Sequence, residues 1–195
     1  MNHAIRNIEI INEEQHQGVH PKKFLVWLFI VSIVMLFAAL TSAYIVKQSD
    51  GNWLQFELPD IFWITSLIIV ISSVTMQLAV VAARKDNIAQ VRLFLIATTV
   101  LGLVFLAGQY KSWEDLVGQD VFFVGNPSGS FLYVLTGLHA VHIISGIIFL
   151  LLVIWAAFNL KIHSKRMLQI GMCATYWHFL GALWLYLFFF LKIYH

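Results

Sequence analysis

A polytopic all-α bundle of five membrane-spanning helices is the fold class this sequence predicts, and three observations predict it. Hydrophobic residues make up 60% of the 195 and charged residues only 11%, with a mean hydropathy of +0.81, whereas soluble domains carry roughly 25% charged residues. Five apolar runs, each about 20 residues or longer, alternate with short polar stretches, and about 20 such residues cross the ~30 Å hydrocarbon core of a bilayer as a helix. The basic residues also segregate. Arg6, Lys22, Lys23, Arg84, Lys85, Arg92, Lys161, Lys165 and Arg166 fall on one side of the five spans, and Lys47, Lys111 and Lys192 on the other. The excess marks the inner side, which predicts an N-terminus inside and a C-terminus outside.

The elements follow in order. Residues 1–22 read as a polar tail, in which Ile5, Ile8 and Ile11 recur at a spacing of three. No apolar stretch precedes the first basic pair, so the first span is expected to serve as its own insertion signal. The transmembrane domain is expected over 23–195. Pro21 marks a start, because a helix does not need the N–H of its first residue. The first span covers about 24–46, and a short loop with Gly51, Trp53 and Pro59 follows. The second covers about 61–83 and is closed by Arg84 and Lys85. The third covers about 91–109 and carries the small residues Thr98, Thr99, Gly102 and Gly108, which let membrane helices approach closely. Residues 110–130 read as the longest loop, acidic at Glu114, Asp115 and Asp120 and ending in GNPSGS. The fourth span covers about 131–158, a basic turn follows, and the fifth span covers about 168–194. Trp27, Trp53, Trp63, Trp113 and Tyr194 suit interfacial positions. Trp184 and Tyr186 are too deep for that and are expected to face a helix or lipid tails.

Few side chains in the spans can carry chemistry. Cys173 is alone, so it forms no intrachain disulfide and reads as a small packing residue. His139, His142 and His178 are the ionisable residues deep in the spans, and no carboxylate joins them. Ion-coupled transport ordinarily needs a buried acid, which argues against a transporter. His139 and His142 stand at i and i+3 on one helix face. Counted along their helices, His142 and His178 lie roughly 17 and 15 Å deep, so a bis-histidine haem site is one reading. Hydrogen bonding to neighbouring helices or to lipid is the other, and spacing alone leaves both open. The charge distribution gives no sign of a nucleic-acid partner.

The stretches LTGLHAVHIISGIIFLL and ATYWHFLGALWLYLFFFLKIY resemble the subunit III family of haem–copper terminal oxidases, in its five-helix bacterial form. TSLIIVISSVTMQLA and TTVLGLVFLAGQYKSWEDL are similar to the family's preceding helices. The resemblance implies a non-catalytic subunit of a proton-pumping cytochrome c oxidase in a bacterial inner membrane, with no catalytic or metal-ligating residue of its own. Haems and copper are then expected in partner subunits. It implies packing on subunit I, proximity to subunit II and to a small fourth subunit, phospholipid binding, and support of proton uptake. His139, His142, His178, Tyr176 and Trp177 match family motif positions and are expected to bind lipid or pack helices. Lys161 and His163 resemble positions near lipid head groups. An accessory protein of nitric oxide reductase is a second reading of the same resemblance, and the haem-bearing membrane anchor remains a third. The chain also departs from the family pattern. Ile33, Gly171 and Gly181 stand where relatives often carry buried carboxylates.

Overall fold

A computed structural model describes residues 21–49, 51, 53, 54, 56, 58–158 and 167–194. The polar tail before Pro21, and the turn carrying Lys161 and His163, lie outside the described residues. Five helices occur among the described residues: α1 (Pro21–Gln48), α2 (Ile61–Arg84), α3 (Ile88–Gly118), α4 (Pro127–Phe158) and α5 (Met167–Tyr194). All five are long and apolar enough to cross a membrane, and no strand occurs among the described residues. The protein is a multi-pass membrane helix bundle.

Helices α2, α3, α4 and α5 close a ring in that order, each packing on the next and α5 returning to α2. The α2–α3 contact is the most extensive. Lys85 to Asn87 join them, and the Asn87 side chain caps α3 by accepting from the Gln90 N–H at 3.2 Å. Gly108 lets the pair close up, because a β-carbon there would stand 2.5 Å from the Thr65 methyl. Helix α1 lies outside the ring in the α4–α5 groove. It runs parallel to α5: Tyr186 donates to Thr41 at 3.2 Å, and Gln48 reaches the Tyr194 carbonyl at 2.6 Å. Helix α5 therefore touches α1, α2 and α4 and is the most buried of the five, while α1 is the least.

Two helix limits differ most from the sequence expectation. Residues 110–118 are not loop. Helix α3 continues past Gln109 to Gly118, since Ser112 and Leu116 point inward and Leu116 packs with Val121 and Leu132 in a small second core. Glu114 and Asp115 stay on the exposed side, which is why composition alone suggested a loop. Helix α4 starts earlier, at Pro127. Asn126 precedes it and accepts from the Ser128 N–H at 2.9 Å, a cap followed by proline at the first helical position. At the other end of α4, Arg92 donates to the Ala157 carbonyl at 3.0 Å and lies over the Phe158 ring. A cation there meets the negative end of the helix dipole.

Of the residues expected at the interface, Trp27 and Trp63 are half-exposed. Trp53 instead packs edge-on against Tyr44, and Trp113 donates to Thr136 at 3.1 Å. Trp184 is buried, and the Tyr186 ring is half-exposed.

Candidate functional site

Two tryptophans on α5 tie the ring together. Trp177 and Trp184 are seven residues apart, two turns along one face. Their partners on antiparallel α2 are six apart. Trp177 donates its indole N–H to Ser72 at 3.1 Å, and Trp184 donates to Ser66 at 3.0 Å. The Trp177 ring fits between Gly102 on α3 and Gly146 on α4, where added β-carbons would stand 2.8 Å and 3.2 Å from it. One side chain of α5 thereby touches the other three ring helices. Ser72 passes the link on to the Thr98 carbonyl of α3 at 3.4 Å. A buried indole needs a partner for its N–H, and a serine opposite each tryptophan supplies it.

His139 sits in the centre of the ring, fully buried at 0% exposure. Its ring centroid is 5.2 Å from Trp184 and 5.9 Å from Phe105. Neither ring nitrogen meets a hydrogen-bond partner among the described residues, and the same holds for the Gln109 carbonyl oxygen. The Gln109 amide donates instead to Thr65 at 3.3 Å.

His142 faces elsewhere. Its Nδ1–H donates to the Leu138 carbonyl at 2.7 Å, and its ring packs on Phe29 and Phe37 of α1, with centroids 6.4 and 5.8 Å away. Tyr176 joins it there. Its hydroxyl shares a hydrogen bond with Ser145 at 2.7 Å, and its ring lies 5.7 Å from Phe29. Three residues on a helix leave about 60° between side-chain directions. That angle sends His139 into the ring and His142 beneath α1.

His178 faces α2. Ser73 hydrogen-bonds its Nδ1, and its Nε2 lies 3.3 Å from the Gln77 carbonyl oxygen. The structure thus brings His142 together with Tyr176, and His139 with Trp184. It gives His142 and His178 separate neighbours, so the geometry does not assemble the haem pair that their similar depths allow. Both His178 nitrogens are taken up by α2.

The three positions where the sequence resemblance leads to an acid being expected also differ from one another. Ile33 is sealed in the core. Gly171 lines a groove of about 330 Å³ between the starts of α1 and α5, beside Lys23, Trp27 and Met172. Gly181 lines a groove of about 220 Å³ between α2 and α5.

Sequence reasoning missed Trp184 as a partner of His139, and it missed Ser66, Ser72, Gly146 and Gln77, while Gly102 was already marked as a close-approach residue. One signal was available: tryptophans seven apart on one span and serines six apart on another.

The family model described as cytochrome c oxidase subunit III matches residues 7–195. Cytochrome bo(3) ubiquinol oxidase subunit 3 of Buchnera aphidicola is 27% identical over 177 residues, covering 88% of this chain and 93% of that protein. Cytochrome c oxidase subunit 3 of Thermostichus vulcanus is 29% identical over 190 residues, covering 89% and 88%. The Synechocystis protein of the same name is 31% identical over 185 residues, covering 89% and 76%.

Proposed function

We infer the role of this chain from one premise: it belongs to the cytochrome c oxidase subunit III family. We propose that it is the non-catalytic subunit III of a proton-pumping terminal oxidase in a bacterial inner membrane. It packs on subunit I and stabilises it, lies near subunit II and a small fourth subunit, and supports proton uptake. The haems and copper belong to the partner subunits.

One observation carries the reading. Each mid-span histidine serves a different helix contact: His139 with Trp184 and Phe105, His142 with Phe29 and Phe37, His178 with Ser73 and Gln77. Side chains spent separately on packing suit a subunit whose work is to be a rigid neighbour. Lipid binding is supported by the α1–α5 groove, an apolar cleft with the Lys23 ammonium at its rim, since a lysine near a membrane edge attracts anionic head groups. The ubiquinol oxidase relative favours a second reading of the electron donor, quinol in place of cytochrome c.

The test is removal of the subunit from the purified complex. Haem content is expected to stay intact while turnover decays sooner and proton uptake slows. Equal, equally sustained turnover with and without the chain would refute the role. Oxygen consumption with reduced cytochrome c and with quinol, measured side by side, decides the donor.

A further inference from the structure

We propose that a membrane helix of a neighbouring oxidase subunit docks on the outer face of α2 and α5, presenting a hydrogen-bond acceptor to the Gln77 amide. This rests on the oxidase-subunit reading above and adds the face and the chemistry of the contact.

The outer surface of the bundle is not uniform. On α3 between residues 93 and 107, and on α4 between 141 and 158, every exposed side chain is apolar. Those faces suit lipid tails. The α2–α5 face is different. Ser73 lies twelve residues after Ile61 and eleven before Arg84, at the middle of α2. His178 lies about 16 Å along α5 from Met167. Around this depth Ser73 and His178 are half-buried and Gln77 is exposed.

The three form a directed chain. The Gln77 carbonyl oxygen accepts, so His178 Nε2 carries the proton and donates to it. His178 Nδ1 is then the acceptor, and the Ser73 hydroxyl donates to it. The chain ends on the Gln77 amide nitrogen. Nothing among the described residues accepts from its two N–H bonds. Lipid tails cannot accept them either, and a polar group left facing hydrocarbon is costly. A helix of another chain can meet the need with a hydroxyl, amide, carboxylate or exposed carbonyl oxygen.

The surface is shaped for such a helix. A groove of about 220 Å³ runs beside the triad, between Val70 and Ala182 and over Gly181. Adjacent Gly181 and Ala182 leave room for another backbone to come close, as small residues do at membrane helix interfaces. A side chain at 181 would enter this groove. Glycine leaves it open.

The two kinds of face predict different outcomes for one substitution. If this face met lipid, Gln77→Leu would cost only the internal bond to His178 and leave recovery of the partner subunit unchanged. If it meets a partner acceptor, Gln77→Leu strands that acceptor and weakens the contact. The experiment purifies the complex from native membranes through a tag on this chain. It compares the recovery of the largest subunit for wild type, Gln77→Leu and Leu103→Ala, the last on the outer face of α3. Recovery is expected to fall at least fivefold for Gln77→Leu and to hold for Leu103→Ala. Unchanged recovery for Gln77→Leu overturns the proposal. A photoreactive residue in place of Ala182, in the otherwise wild-type complex, is the second measurement. It is expected to form an adduct with a larger subunit, whereas the same group at Leu103 yields lipid adducts. Lipid adducts alone from 182, or an adduct with a second copy of this chain, also overturn it. A tagged wild-type chain that brings down no oxidase subunit strikes the oxidase reading itself. A complete complex from which Gln77→Leu loses nothing strikes only the docking face.

Discussion

The ring edge of Trp177 lies 2.8 Å from where a β-carbon on Gly102 would stand. Helices α3 and α5 fit around that indole because residue 102 has no side chain. The ring has little freedom to yield. Ser72 holds its N–H, and Gly146 backs its other edge, where a β-carbon would stand 3.2 Å away.

Gly102→Ala is therefore expected to destabilise the subunit by about 1–3 kcal/mol, the usual range for overpacking a filled core. The check is the temperature at which the detergent-solubilised complex sheds this chain. Gly102→Ala combined with Trp177→Phe, whose smaller ring clears the space, should cost less than the two single costs added together. Strictly additive losses would show that the contact is not tight.

The two indole–serine bonds should be separable by a double-mutant cycle. Trp184→Phe removes the donor to Ser66, and Ser66→Ala removes the acceptor. A coupling of about 0.5–1.5 kcal/mol is expected for a neutral buried hydrogen bond. The Trp177–Ser72 pair should give a similar value. Zero coupling in both cycles would mean that the tryptophans hold the ring by area alone.

His139→Leu is expected to stay within about 1 kcal/mol of wild type, because an apolar side chain of similar size removes two buried nitrogens that meet no partner among the described residues. His178→Leu should be worse by about 1 kcal/mol for each bond lost, to Ser73 and to Gln77. Thermal retention of the subunit in the complex measures both. A loss of more than about 3 kcal/mol in His139→Leu would reveal a polar partner to that imidazole.

Apolar carbodiimides, which modify carboxyl groups from within the bilayer, should label no residue in the middle of any span. Among the described helices the only carboxylates are Glu114 and Asp115, towards the far end of α3. Mass spectrometry of the treated chain would find the adduct. A labelled mid-span site would require a different arrangement of the spans.

Much of the fold is legible in the residues. The five spans can be read one at a time, because each must satisfy its own backbone in hydrocarbon and be apolar over its own length. The α3 end could not be read in this way. Glu114 and Asp115 look like loop, but Ser112 and Leu116 on the opposite side of the same turns are fully buried. Burial of that side is a property of the Val121 and Leu132 that it meets, and not of the segment itself. The site was legible in part. GLHAVH and YWHF name the right helices, but the tryptophan that meets His139 is Trp184, beyond either motif.

By itself the sequence determined the number of spans, the membrane as their solvent, the lack of buried acids and the family. Only the tertiary structure decided which helix each histidine faces, that α1 stands outside a closed ring, and that polar side chains gather on the outer α2–α5 face. The reason is physical. In a soluble bundle the buried face is the apolar one and can be read from periodicity. In a membrane both faces are apolar, so helix neighbours are chosen by gaps and hydrogen bonds. Gly102 and Gly146 receive Trp177, Ser66 receives Trp184, and Ser73 and Gln77 receive His178. Such matches join residues far apart in the chain, and they appear only when the helices are set side by side.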